Sequence, residues 1–263
     1  MRVYKLVNKT NKFMDSIAFF YDVICKPCTK ERVLFLESIL KDNNINCFLD
    51  LSCSTGETIY HLADDKKVIF CGIDFSHNMI KVAKKKNFSN KNTSFYKLDM
   101  NNLIRLNSKY DLIYSNSLNW NPTFEYIDKT FDQIKKVITK DGILIIDIPN
   151  PKKLLTSEYP IYTNSVANET AVIIKITQYL NRDIKTSNKI LKMYQSYNIV
   201  NLKSMKQKTI SHIMNLLYLE IETLKRIADR NGFYIIDISY EYDTLDEIDC
   251  NTIQIMFKQV HDA

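Results

Sequence analysis

Five short apolar runs recur between residues 47 and 149, and the segments between them are of a different kind. The runs are CFLDLS (47–52), VIFCGIDFS (68–76), TSFYKLDM (93–100), YDLIYSNS (110–117) and ILIIDIP (143–149). Near-continuous apolar strands need cover on both faces. HNMIKVAKKK (77–86) and TFEYIDKTFDQIKKVIT (123–139) place apolar side chains at helical spacing, the second helix stopping at Asp141-Gly142. Two late runs, YIIDISY and NTIQIMFKQV, complete a closing hairpin. The pattern predicts an α/β fold: a Rossmann-like, seven-stranded, mostly parallel sheet with helices on both faces.

The rhythm breaks after the fifth run. AVIIKITQYL and ILKMYQSYNIV, joined by the polar NRDIKTSN, read as a β-rich hairpin inserted into one domain. The expected organisation is a helical cap over 1–44, a cofactor-binding core over 45–150, a β-rich lid over 151–214 and the rest of the core over 215–263. Residues 10–22 and 29–41 supply the helices of the cap. No apolar stretch reaches bilayer length and no secretory leader is visible, so a cytoplasmic protein acting away from the membrane is expected.

Six cysteines in 263 residues form no disulfide framework. Cys25 and Cys28 lack a second ligand pair for zinc, so no metal is expected. Residues 151–211 hold ten basic and three acidic side chains, in a chain whose net charge is +6. The basic excess therefore lies in the lid. Lysines facing solvent on alternate strand positions account for it as well as an anionic ligand does.

The stretch DLSCSTGE (50–57) has the grammar of a strand, a ligand loop and a helix. The dinucleotide pattern G-x-G-x-x-G is absent. The stretch resembles instead the first motif of class I S-adenosylmethionine-dependent methyltransferases, D-x-G-x-G-x-G, with Ser52 and Ser54 in place of two glycines. The chain's four glycines, Gly56, Gly72, Gly142 and Gly232, also fall where that family has glycine, and the resemblance covers about 45–150 and 215–260. It implies S-adenosylmethionine as cofactor and S-adenosylhomocysteine as product. Asp50 would face the methionine end, with Ser52, Cys53, Ser54 and Gly56 forming the loop. Asp74, ending the second strand, would take the ribose hydroxyls, beside Phe75 and Met79. Asp99 would read the adenine, with Met100 on the ring, and Ser115 and Asn116 would complete the site.

SNSLNW followed by IIDIPNP is similar to the glycine and sarcosine N-methyltransferase branch. That likeness implies a small-molecule acceptor, with Tyr21 and Asn150 as catalytic candidates. Apart from the likeness, His212 is the one histidine kept as a catalytic candidate, and Trp120, Asn150 and Arg182, the lid's only arginine, are the expected substrate contacts. The nucleobase motif [ND]-P-P-[YFW] is missing, which argues against DNA. An amine needs only its lone pair whereas a hydroxyl needs a base, and no base is evident, so methylation of nitrogen is expected. The acceptor could be anionic if Arg182 grips it. The competing readings are an O-methyltransferase, an RNA methyltransferase using the basic lid, and a non-catalytic scaffold on the same fold. The chain is expected to act as a monomer or homodimer.

Overall fold

The computed structural model describes residues 2–26, 28–63, 67–87, 89–116, 118–120, 123–150, 153, 161–181, 190–243 and 250–260. Its strands, in chain order, are β1 (Cys47–Leu51), β2 (Ile69–Asp74), β3 (Thr93–Lys97), β4 (Tyr110–Ser115), β5 (Ile138–Pro149), β6 (Ile161–Ala167), β7 (Ala171–Asn181), β8 (Ile190–Asn201), β9 (Gln207–Leu217), β10 (Phe233–Tyr240) and β11 (Thr252–Gln259). The helices are α1 (Arg2–Ile17), α2 (Tyr21–Cys25), α3 (Lys30–Asp42), α4 (Glu57–Leu62), α5 (His77–Lys86), α6 (Phe124–Val137) and α7 (Ile221–Arg230). Seven strands form one sheet in the order β10-β11-β5-β4-β1-β2-β3. β1 to β5 run parallel, while β11 lies antiparallel between β5 and β10.

Alternate side chains of the central strands enter two cores. Leu49, Leu51, Ile113, Leu144 and Ile146 pack under α6 and α7, against Ile127, Phe131, Ile134, Leu224 and Ile227. Phe48, Phe70, Leu112, Tyr114 and Ile145 pack on the opposite face against Leu36, Leu40, Ile59, Ile80 and Ala83. Burial on both faces is why these strands read as unbroken apolar runs. The helices start where side chains satisfy free N–H groups. Ser76 Oγ accepts from Met79 N at 3.1 Å to open α5, and Thr123 Oγ1 accepts from Tyr126 N at 3.2 Å to open α6. Lys84, Lys85 and Lys86 close α5, where cations suit the negative end of the dipole.

Two elements differ from the expectation. The helix over 123–139 ends at Val137, and Asp141-Gly142 lies inside β5. The β4–β5 pairing shifts from Tyr110↔Ile138 to Leu112↔Ile143, so these residues occupy a bulge. A Cβ on Gly142 would stand 2.5 Å from Ile138 Cγ1, which explains glycine there. The insertion is also larger than a hairpin. β7 and β8 pair as predicted, and β6 and β9 flank them in a four-stranded antiparallel sheet. β6 is exposed at nearly every position, so its sequence carries no alternation to read.

Cap and lid share a third core. Phe13, Ile17, Ala18 and Ile24 of the N-terminal helices pack with Ile173, Leu191, Met193, Tyr197, Met214 and Leu216 of the lid. Among the described residues, no helix is long and apolar enough to cross a membrane.

Candidate active site

The sheet order reverses between β1 and β4, and ligands of open α/β sheets bind in the crevice beyond such a point. A cavity of about 250 Å³ opens there. The carboxyl ends of β1 to β4 contribute Asp50, Ser52, Cys53, Ser54, Asp74, Phe75, Leu98, Met100 and Asn116. The cap and lid contribute Thr10, Asn11, Met14, Tyr21 and Asn215.

The loop after β1 is built on left-handed backbone. Ser52, Ser54 and Gly56 have φ of 68°, 50° and 70°, and these are the three glycine positions of the motif. A non-glycine residue in that region costs roughly 1–2 kcal/mol. Serine therefore keeps the path of the loop at a conformational cost. Gly56 faces the core instead of the cavity, since an added Cβ would stand 2.8 Å from Phe95 Cε1.

The two loop carboxylates differ in how they are held. Asp74 accepts from Ser54 N at 3.0 Å and from Ser76 N at 2.8 Å, so it ties the loop to the start of α5. Desolvation, opposed by these bonds, pushes its carboxyl up to about 6. Asp50 is 2 % exposed, and its Oδ1 has no hydrogen-bond partner. Burial holds its carboxyl well above the usual range, and the Arg32 guanidinium pulls the other way. A buried carboxylate oxygen without a donor is costly, and a ligand bearing N–H donors or positive charge relieves it.

The cap is pinned at two places. Asp15 accepts from Ser76 Oγ at 2.5 Å and from Asn78 N at 2.9 Å, at the N-terminus of α5. Asp22 accepts from Thr55 Oγ1 and pairs with Lys86 at 2.6 Å, and Lys86 also pairs with Glu57. Tyr21 is thereby set against the loop. Desolvation raises the pKa of its hydroxyl, and a hydrogen bond with Ser54 opposes the shift.

Several expected site residues stand elsewhere. Asp99 does not line the cavity; it caps the turn at Met100 by accepting from Asn101 N at 2.8 Å, and it also accepts from the Tyr126 hydroxyl. Tyr126 lines the cavity in its place. Met79 is fully buried in the core shared by cap and lid, because α5 turns that face toward α1. Ser115 is buried behind Asn116, outside the lining. Asn150 is buried too, donating to Cys250 O at 3.1 Å and to Cys250 Sγ at 3.2 Å, so it joins β5 to the start of β11. His212 lies against α1, 3.3 Å from Thr10 Oγ1 and tilted against the Phe13 ring, and does not line the cavity. Burial, with nearby Lys9, lowers its pKa. Arg182 lies outside the described residues.

Sequence reading missed Thr10, Asn11, Met14, Glu57, Thr58, Ile73, Leu98, Tyr126 and Asn215 of the lining. Only Glu57 and Thr58 were within its reach, as the first turn of the helix after the loop. Among the described residues, no cluster of three potential metal ligands occurs.

The chain matches the family described as a methyltransferase domain over residues 42–197. The Bacillus subtilis (strain 168) protein YqeM, described only provisionally as a methyltransferase, is 32% identical over 108 residues. That match covers 40% of this chain and 43% of YqeM, less than half its length. The crystal structure of an S-adenosylmethionine-dependent methyltransferase from Clostridium acetobutylicum ATCC 824 superposes with a TM-score of 0.75 at 20% identity, covering 94% of this chain and 98% of the other. The sugar N-methyltransferase KedS8 from Streptoalloteichus sp ATCC 53650 gives a TM-score of 0.68 at 14% identity, covering 88% of each chain. At these identities the two structures speak for the fold.

Proposed function

The chain belongs to the methyltransferase-domain family, and from that premise we propose that it transfers a methyl group from S-adenosylmethionine to the amine nitrogen of a small molecule. The observation that carries this reading is the pairing of two desolvated carboxylates, Asp50 and Asp74, on one cavity beneath a pinned cap. The residues present fit such a donor. The unpartnered Asp50 Oδ1 suits its cationic methionine end, and the Asp74 carboxylate suits a ribose hydroxyl. Phe75, Met100 and Leu98 offer apolar contact for a base, and Tyr126 offers a ring.

When bound, the donor supplies a methyl on a sulfonium: the amine lone pair forms the N–C bond as the C–S bond breaks, leaving S-adenosylhomocysteine, and the amine proton passes to water. The chain's part is to orient and to exclude water. Asp15, Asp22 and Lys86 hold the cap closed over the loop. Among the described lining residues there is no histidine or lysine, and the carboxylates are engaged, Asp50 and Asp74 with the donor and Glu57 with Lys86, which favours an acceptor that brings its own lone pair.

Calorimetry with S-adenosylmethionine and S-adenosylhomocysteine tests the reading. Micromolar binding is expected for both, weakened at least tenfold in Asp74→Ala. Absence of binding to the wild-type chain would sink the enzyme reading in favour of a scaffold.

A further inference from the structure

Resting on that reading, we propose that the acceptor is an amine on an uncharged, hydroxyl-bearing ring framework such as an amino sugar, held by Asn11, Trp120 and Asn215, and that anionic amines are refused. With the strand-end carboxylates given to the donor, the remaining wall comes from three elements. α1 brings Thr10, Asn11 and Met14, the turn Leu118–Trp120 brings Trp120, and β9 brings Asn215. α1 and the turn both pack against β9, so these residues form one continuous surface.

That surface is neutral. It offers carboxamides, a thioether and an indole. A carboxamide both donates and accepts, which matches a hydroxyl group that does the same. The half-buried indole of Trp120 offers a flat apolar face for a ring, with an N–H at its edge. An anionic acceptor would find no cation among the described lining residues, and it would share the cavity with Asp50, Glu57 and Asp74. Burying an unpaired charge in such a place is strongly unfavourable.

Among the described residues, the lid's lysines do not alter this. Lys175 reaches Cys25 Sγ at 3.5 Å and the Tyr197 ring, while Lys192, Lys203, Lys206 and Lys208 are exposed, and none of these lines the cavity.

The test is a methylation assay reading S-adenosylhomocysteine release, with four kinds of amine. They are a set of neutral amino sugars, the 6-phosphate of glucosamine, glycine and sarcosine. At least one neutral amino sugar is expected to exceed each anionic amine by 100-fold or more in kcat/KM. Trp120→Ala and Asn215→Ala are expected to raise KM for it at least tenfold, with kcat and calorimetric donor affinity held within about threefold. Preference for an anionic amine, or no turnover of any amino sugar by a chain that binds the donor, overturns the proposal and leaves the donor reading standing. Failure to bind the donor removes the underlying reading instead.

Discussion

Ser52, Ser54 and Gly56 share one backbone conformation yet answer to different constraints. The serines carry a conformational cost, offset at Ser54 by its hydrogen bond with Tyr21, whereas Gly56 also has Phe95 Cε1 2.8 Å from where a Cβ would sit. Gly56→Ala is therefore expected to destabilise by about 2–4 kcal/mol, strain and overpacking together. Ser52→Gly is expected to be neutral or to stabilise by up to about 1 kcal/mol, since relief of the left-handed strain is partly cancelled by unfolded-state entropy. Urea unfolding of both variants checks the contrast, and equal losses would contradict it. Asp74 gives a pH dependence. Its folded pKa is raised to about 6, so between the ordinary carboxylate range and pH 6 the folded chain holds a proton that the unfolded chain has lost. Stability of the donor-free chain should consequently fall as pH rises through that window. Donor affinity should run the opposite way, weakening as pH drops below about 6 because protonated Asp74 accepts poorly. Calorimetry from pH 5 to 8 is expected to show this slope, and Asp74→Asn should remove the part centred near 6.

α3 shows how an element is held to the sheet by polar groups and not by apolar packing alone. Arg32 Nε donates to the Tyr242 hydroxyl at 2.8 Å and lies 3.7 Å from Asp147 Oδ2. Tyr114 and Tyr242 each donate to that same oxygen at 2.6 Å. All four side chains are buried, so removing one leaves the others without their solvent or their partner. Asp147→Ala is expected to cost about 3–5 kcal/mol. Replacing both ions, Arg32→Met with Asp147→Leu, should cost less than Asp147→Ala alone, because no buried charge is then orphaned. Chemical unfolding of the single and double variants decides it; additive losses would mean that the network is not a unit. Asp147 reads as just another acidic residue of IIDIP, and nothing local distinguishes it from Asp50. Besides Tyr114 of β4, its partners come from α3 and from the turn after β10, across 115 and 95 residues in the case of Arg32 and Tyr242.

Cap and lid are far apart along the chain and become one roof through a core distinct from the two that flank the sheet. Phe13 contacts Tyr197 at a ring-centroid distance of 5.8 Å and lies 5.3 Å from His212. Phe13→Ala removes that contact, and a buried Phe→Ala change carries about 3–5 kcal/mol. Because the roof has its own core, the loss should appear locally. Hydrogen exchange is expected to accelerate in α1, α2 and β7 to β9, while β1, β4 and β5 keep their protection. Donor binding should weaken with it, as Tyr21 and Met14 come from the same roof. Uniform acceleration across the sheet would show that roof and sheet unfold together.

The alternation of apolar runs with helical segments, and the DLSCSTGE loop, were enough to specify the sheet, its direction and the placement of Asp50, Ser52, Ser54 and Asp74. Those features are local: a strand, its exit and the following helix lie within a few residues, and periodicity encodes them directly. Which side chains meet the cavity from elsewhere was decided by tertiary packing. Thr10 and His212 stand 202 residues apart in sequence and 3.3 Å apart in space, and Asn215 reaches the site only because β9 crosses α1. The same packing draws Asn150 into a buried contact with Cys250 and turns Asp99 into a cap. A side chain's local pattern says whether it is buried, but its partner depends on how distant elements stack, and that is a property of the assembled layers alone.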